Sequence, residues 1–88
     1  PFVLDVRRAS EFAEGRIAGA VNIAHTRLAA QIEQVPRDRP LLVNCRSGAR
    51  SARACAFLQR LGYAPINLAG GMLAWSESGA AVERAGIV

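Results

Sequence analysis

Apolar residues follow two patterns along this chain. Short unbroken runs alternate with stretches in which apolar positions return every three or four residues. Phe2 to Val6 is a run of the first kind, apolar and β-branched, and predicts a buried strand that ends in the charged group Asp5, Arg7 and Arg8. Ser10 to Glu14 predicts a short helical turn stopped by Gly15. Ile17 to Ala20 reads as a loop and Val21-Asn22-Ile23 as a short strand. Thr26 is placed to cap a helix from Arg27 to Gln34, with Leu28 and Ile32 facing inward and Pro36 ending it. After the polar turn Arg37 to Pro40, Leu41-Leu42-Val43 is wholly apolar, the pattern of a central parallel strand, and it runs straight into Asn44 and Cys45.

A second helix is predicted over about Arg50 to Leu61. Ala54, Phe57, Leu58 and Leu61 share one face at i, i+3, i+4, i+7, and Gly62 suits the position just past the end. Pro65 to Leu68 reads as a further strand. Gly70-Gly71 turns the chain into a last helix in which Met72 and Trp75 share a face, so Trp75 is expected in the core. Strands alternating with helices imply an α/β fold with a parallel sheet covered on both sides. No repeat, low-complexity segment or linker interrupts the pattern.

Composition narrows the picture. A chain of 88 residues forms one domain, and at this size it buries about 60% of its unfolded surface. Hydrophobic residues make up 51%, which excludes a disordered tail. No apolar run is long enough to span a membrane and no signal-peptide pattern opens the chain, so a cytoplasmic protein is expected. The net charge is +4 and all eleven basic residues are arginine. Those arginines are scattered, with no aromatic residues between them, so they read as solvated surface. No nucleic-acid or membrane partner is expected. Two cysteines make no disulfide framework or zinc pattern, and the lone His25 reads as a surface or capping residue; no metal is expected. What remains is a single reactive thiol.

Cys45 is the candidate, because ligands of open α/β sheets bind beyond the carboxyl ends of the strands. The residues after it, Arg46-Ser47-Gly48-Ala49-Arg50-Ser51, lie between a strand and a helix start. Gly48 permits a tight bend, and successive N–H groups in such a loop form an anion-binding concavity backed by the helix dipole. A free thiol titrates at about 8.5, and helix N-termini and nearby cations lower that value. Cys45 is therefore expected to be an activated nucleophile. Arg46 and Arg50 could hold an anionic donor, and Ser51 could hydrogen-bond the sulfur. Cys55 has no such setting and reads as a core residue.

These residues resemble the rhodanese family. Asp5-Val6-Arg7 matches an Asp-x-Arg element at a strand end. Glu11 to Ile23 matches a Glu-Phe-x-x-Gly-His-Ile-x-Gly-Ala-x-Asn-Ile segment, with Arg16 where the family usually has His. Cys45 to Ser51 matches the Cys-Arg-x-Gly-x-Arg-Ser active loop, and Gly70-Gly71-Met72 to Trp75 matches a closing Gly-Gly-x-x-x-Trp element. The resemblance implies a three-layer fold with a central parallel sheet of about four to five strands. It also implies that residues 1–88 are one domain lacking the family's N-terminal edge segment. By the same resemblance Cys45 forms a persulfide, the loop from Arg46 to Ser51 shapes the pocket, and Asp5 and Arg7 support it from a neighbouring strand end. Their simpler reading is a structural ion pair, with Arg7 matched to Glu11.

The implied activity is that of a thiosulfate sulfurtransferase, moving sulfane sulfur from a small anionic donor to cyanide or a thiol, with no cofactor beyond the covalent persulfide. A persulfide carrier serving a partner protein is the alternative. A cysteine phosphatase or arsenate reductase is the more distant one, since its loop from Cys to Arg is one residue longer than the six from Cys45 to Arg50.

Overall fold

The computed structural model describes residues 1–83. In chain order the elements are β1 (Phe2–Asp5), α1 (Ala9–Glu14), β2 (Arg16–Ile17), β3 (Val21–Asn22), a 3-10 turn (Ile32–Gln34), β4 (Leu41–Asn44), α2 (Ala49–Arg60), β5 (Pro65–Asn67), α3 (Gly71–Glu77) and β6 (Val82–Glu83). Four strands form a parallel sheet in the order β3-β1-β4-β5. The expected α/β architecture is present, with four strands in the central sheet and helices flanking it.

Register explains the core. Phe2 pairs with Leu41 and Leu4 with Val43, and side chains alternate across a strand, so these apolar residues share one face. Against that face α2 lays Ala54, Cys55 and Leu58, and the 28–35 segment lays Leu28, Ile32 and Val35. Leu4, Val43 and Leu58 are wholly buried; each such side chain stabilises the fold by about 1.5–3 kcal/mol relative to exposure. The opposite face carries Asp5, and α1 and α3 gather there around Arg7. Trp75 is half-buried rather than central, and its indole N–H donates to the Ala81 carbonyl at 2.8 Å.

Leu61, expected on the apolar face of the helix with Ala54, Phe57 and Leu58, instead follows the end of α2 and is exposed, and two further local expectations fail. The predicted helix from Arg27 to Gln34, capped by Thr26, is instead a series of turns that closes in the short 3-10 segment. Its hydrogen bonds mix spans: the Gln31 N–H faces the carbonyls of both Arg27 and Leu28, and the Gln34 N–H reaches back only to Gln31. Burial of Leu28 and Val35 sets its path instead. The stretch read as a loop from Ile17 also begins in a strand, for Arg16 and Ile17 pair antiparallel with Glu83 and Val82. Two-residue strands carry no periodicity. This one is held by partners far along the chain, including the Arg16–Glu83 ion pair at 3.2 Å, while the Arg16 guanidinium also stacks 4.7 Å from the Phe12 ring centre.

One close approach fixes the end of β4 against α3. The N–H of Met72 donates to the Cys45 carbonyl at 2.8 Å, and that of Leu73 to the Arg46 carbonyl at 3.0 Å. Gly71 lies against the same carbonyls at φ 52°, and a Cβ there would collide with both oxygens. We expect Gly71→Ala to lose about 2–4 kcal/mol of stability, seen in thermal melts as a fall of roughly 10–20 °C in Tm. An unchanged Tm would show that α3 does not pack this closely.

Candidate active site

Between the end of β4 at Asn44 and the start of α2 at Ala49 the chain turns through Cys45, Arg46, Ser47 and Gly48. Gly48 sits at φ 107°, a conformation open mainly to glycine, and this aims its N–H back at the cysteine. The Gly48 N–H donates to Cys45 Sγ at 3.0 Å, and Ser51 Oγ lies 3.2 Å from the same sulfur. With its carbonyl held by α3, Cys45 turns its side chain to the other side, into the N-terminal turn of α2. The thiol is nearly enclosed, at 1% exposure. Ser47 and Ala49 flank it, Ser47 exposed and Ala49 open to solvent at the helix start.

These donors decide the thiol's ionisation. Burial alone would raise the Cys45 pKa, since a desolvated thiolate is disfavoured. The Ser51 hydroxyl and the backbone N–H groups of Ser51, Gly48 and Ser47 outweigh it, and the thiol titrates below its ordinary value. Cys55 is buried too but has no such donors; burial, and secondarily the charge of Cys45, push it up. Of the two cysteines, Cys45 is the one whose sulfur has hydrogen-bond donors around it.

The arginines separate into distinct settings. Arg46 is exposed and borders a cleft of about 240 Å³ that also touches Arg7, Glu11, Glu14 and Met72. Arg50 turns to α1 and meets both carboxylate oxygens of Glu11, at 2.6 and 2.9 Å. This bidentate pair raises Arg50 and lowers Glu11 to about 2, its leading cause being the hydrogen bond from Arg50. The expected Arg7–Glu11 ion pair is thus corrected. The Arg7 guanidinium pairs with Asp5 at 2.8 Å and reaches only the backbone carbonyl of Glu11, at 3.3 Å, besides that of Gly15. Asp5 is wholly buried and Arg7 nearly so, which leaves them as a strut between the sheet and α1.

Sequence reasoning misses two residues of the site. Glu11 is one; nothing in its spacing shows that Arg50, 39 residues away, is its partner. Asn67 is the other. Its side chain meets Ser51 Oγ through Oδ1 at 2.5 Å. A signal for it does exist, since the end of a strand beside β4 must lie next to the loop that follows β4. Among the described residues no group of three His, Cys, Asp or Glu side chains could hold a metal ion, and no helix is long and apolar enough to cross a membrane.

Glu11 yields a pH prediction. Its folded pKa lies below the unfolded value, so its contribution to stability is complete above about pH 4.5 and is lost as pH falls toward 2. The contribution is on the order of 1–3 kcal/mol, as both partners are only partly screened from water. Glu11→Gln should lower stability at pH 7 by that amount and flatten the acid limb of a urea-denaturation series. Parallel acid limbs in the two proteins would contradict the pairing.

Comparison with known proteins agrees with this geometry. The rhodanese-like domain family matches residues 1–78. A sulfurtransferase of Allochromatium vinosum is 38% identical over 78 residues, covering 88% of this chain and 73% of that protein. A thiosulfate sulfurtransferase of Shewanella oneidensis is 38% identical over 79 residues, covering 89% and 78%. Among solved structures, a rhodanese-related protein of Thermoplasma volcanium superposes with a TM-score of 0.90 at 38% identity, covering 93% of this chain and 82% of that one.

Proposed function

This chain belongs to the rhodanese-like domain family, and from that we propose that it is a sulfurtransferase that carries sulfane sulfur as a persulfide on Cys45. The observation that carries this reading is the enclosed Cys45 sulfur with hydrogen-bond donors arranged around it and its pKa lowered as a result. A thiolate is the nucleophile for sulfur exchange, and the same donors suit a persulfide anion.

Thiosulfate fits as donor. The Cys45 thiolate attacks its outer sulfur, a new S–S bond forms, the old S–S bond breaks, and sulfite leaves with the electron pair. A nucleophilic acceptor then attacks the outer sulfur of the persulfide, and the Cys45 thiolate departs restored. With cyanide the product is thiocyanate; with a thiol it is a new persulfide. Atoms and electrons balance in each half-reaction without a metal or an organic cofactor. Arg46, exposed beside the loop, is the side chain free to meet the donor's sulfonate, since Arg50 is engaged by Glu11. That exposed position also favours a second reading, in which the acceptor is the thiol of a partner protein. The six-residue span from Cys45 to Arg50, one residue shorter than the loop expected of a cysteine phosphatase or arsenate reductase, supports sulfur over phosphate chemistry.

The test is an intact mass after incubation with thiosulfate, then after cyanide. The native protein should gain one sulfur atom and lose it as thiocyanate, and Cys45→Ser should do neither. Thiocyanate formation by Cys45→Ser at the native rate would sink the mechanism. Release of phosphate from an aryl phosphate without sulfur transfer would point to phosphatase chemistry instead.

A further inference from the structure

Ser51 Oγ stands within reach of three groups that can accept its hydrogen: Cys45 Sγ at 3.2 Å, the Gly48 carbonyl at 3.1 Å and Asn67 Oδ1 at 2.5 Å. A hydroxyl has one hydrogen to give. If it goes to Asn67, a lone pair of Ser51 faces the sulfur, which suits a thiol that donates but opposes a thiolate. The Gly48 carbonyl needs neither partner, because the Ala52 N–H already donates to it at 3.0 Å.

The Asn67 amide resolves this conflict if it turns over. Its oxygen and nitrogen have nearly the same shape, and which one faces Ser51 is decided by the hydrogen-bond network. With Nδ2 toward Ser51, Asn67 donates, and the hydroxyl hydrogen is released to the sulfur. Turning over exchanges the hydrogen bond that Oδ1 accepts from Ser51 for one that Nδ2 donates to it, and gives up the weak hydrogen bond from Nδ2 to the Gly48 carbonyl, at 3.4 Å, setting Oδ1 beside that carbonyl. In its place the Ser51 hydroxyl bonds an anion, and such a bond is about twice as strong as a neutral one.

We propose that Asn67 is a positioning residue for the Cys45 thiolate: its amide turns Nδ2 to Ser51 Oγ and thereby directs the Ser51 hydroxyl hydrogen onto the sulfur. Asn67 acts through Ser51. It ends the edge strand β5, is exposed, and its other side-chain hydrogen bond is the weak one to Gly48. The proposal rests on the thiolate reading of Cys45 given above and extends it to a second layer.

The experiment is the pH dependence of Cys45 alkylation by iodoacetamide, with Cys55→Ser as the common background and melting curves to verify folding. Asp at position 67 can only accept, so Asn67→Asp should capture the Ser51 hydrogen and raise the alkylation midpoint by about one to two pH units. Asn67→Ala leaves the hydroxyl free to choose and should give a smaller rise. In a Ser51→Ala background the hydroxyl is gone, so Asn67→Asp should shift the midpoint much less, by its through-space charge alone. Equal shifts with and without Ser51, or none in either, would overturn the role of Asn67. A native midpoint at or above the ordinary thiol value of about 8.5 would instead refute the thiolate reading itself, whatever the Asn67 variants do.

Discussion

The site depends on how the peptide groups at the end of β4 are shared between two helices. Their carbonyls accept hydrogen bonds from the first turn of α3, while the cysteine side chain faces the first turn of α2. A backbone held on one side cannot rotate to release the other. Cys45 Sγ therefore stays among donors that point at it before any reaction begins. The two glycines that make this possible have different tasks. Gly48 supplies a left-handed turn that returns an N–H to the sulfur, and Gly71 supplies the bare surface that lets α3 approach the carbonyls.

The low pKa of the thiol then follows from the loop more than from formal charge. Neutral donors, a hydroxyl and three backbone N–H groups, oppose the penalty of burial. The second arginine of the loop motif is committed elsewhere: Arg50 clasps Glu11 and ties α2 to α1 at the carboxyl end of the sheet. Arg7 makes a comparable tie from the end of β1 to α1 and the residue that follows it, through two carbonyls. Two of the arginines near the site thus hold elements in place, and Arg46 alone of the three keeps its charge toward solvent at the cleft.

Much of this is legible in order along the chain. The apolar run Leu41-Leu42-Val43, the helical spacing of Ala54, Phe57 and Leu58 and the glycines at 48 and 70–71 place Cys45 between a central strand and a helix. The 27–34 segment departs from its pattern because Leu28 and Ile32 have helical spacing yet sit in turns whose geometry is set by what they pack against. The pairing of Arg16 and Ile17 with Val82 and Glu83 leaves no trace in the sequence, since two residues make no pattern.

The chain's own pattern, then, set the α/β order of elements and the place of Cys45 and its loop between β4 and α2. Those features are local: propensity, periodicity and turn chemistry act over a few neighbouring residues. Only the tertiary structure decided which partner each charge and hydroxyl takes. Arg50 finds Glu11 and Ser51 meets Asn67 because strand order and helix placement bring distant positions within about 3 Å, while Arg7 turns to Asp5, two residues away, and leaves the Glu11 carboxylate to Arg50. At that range hydrogen-bond geometry selects one pairing among several that composition leaves equal.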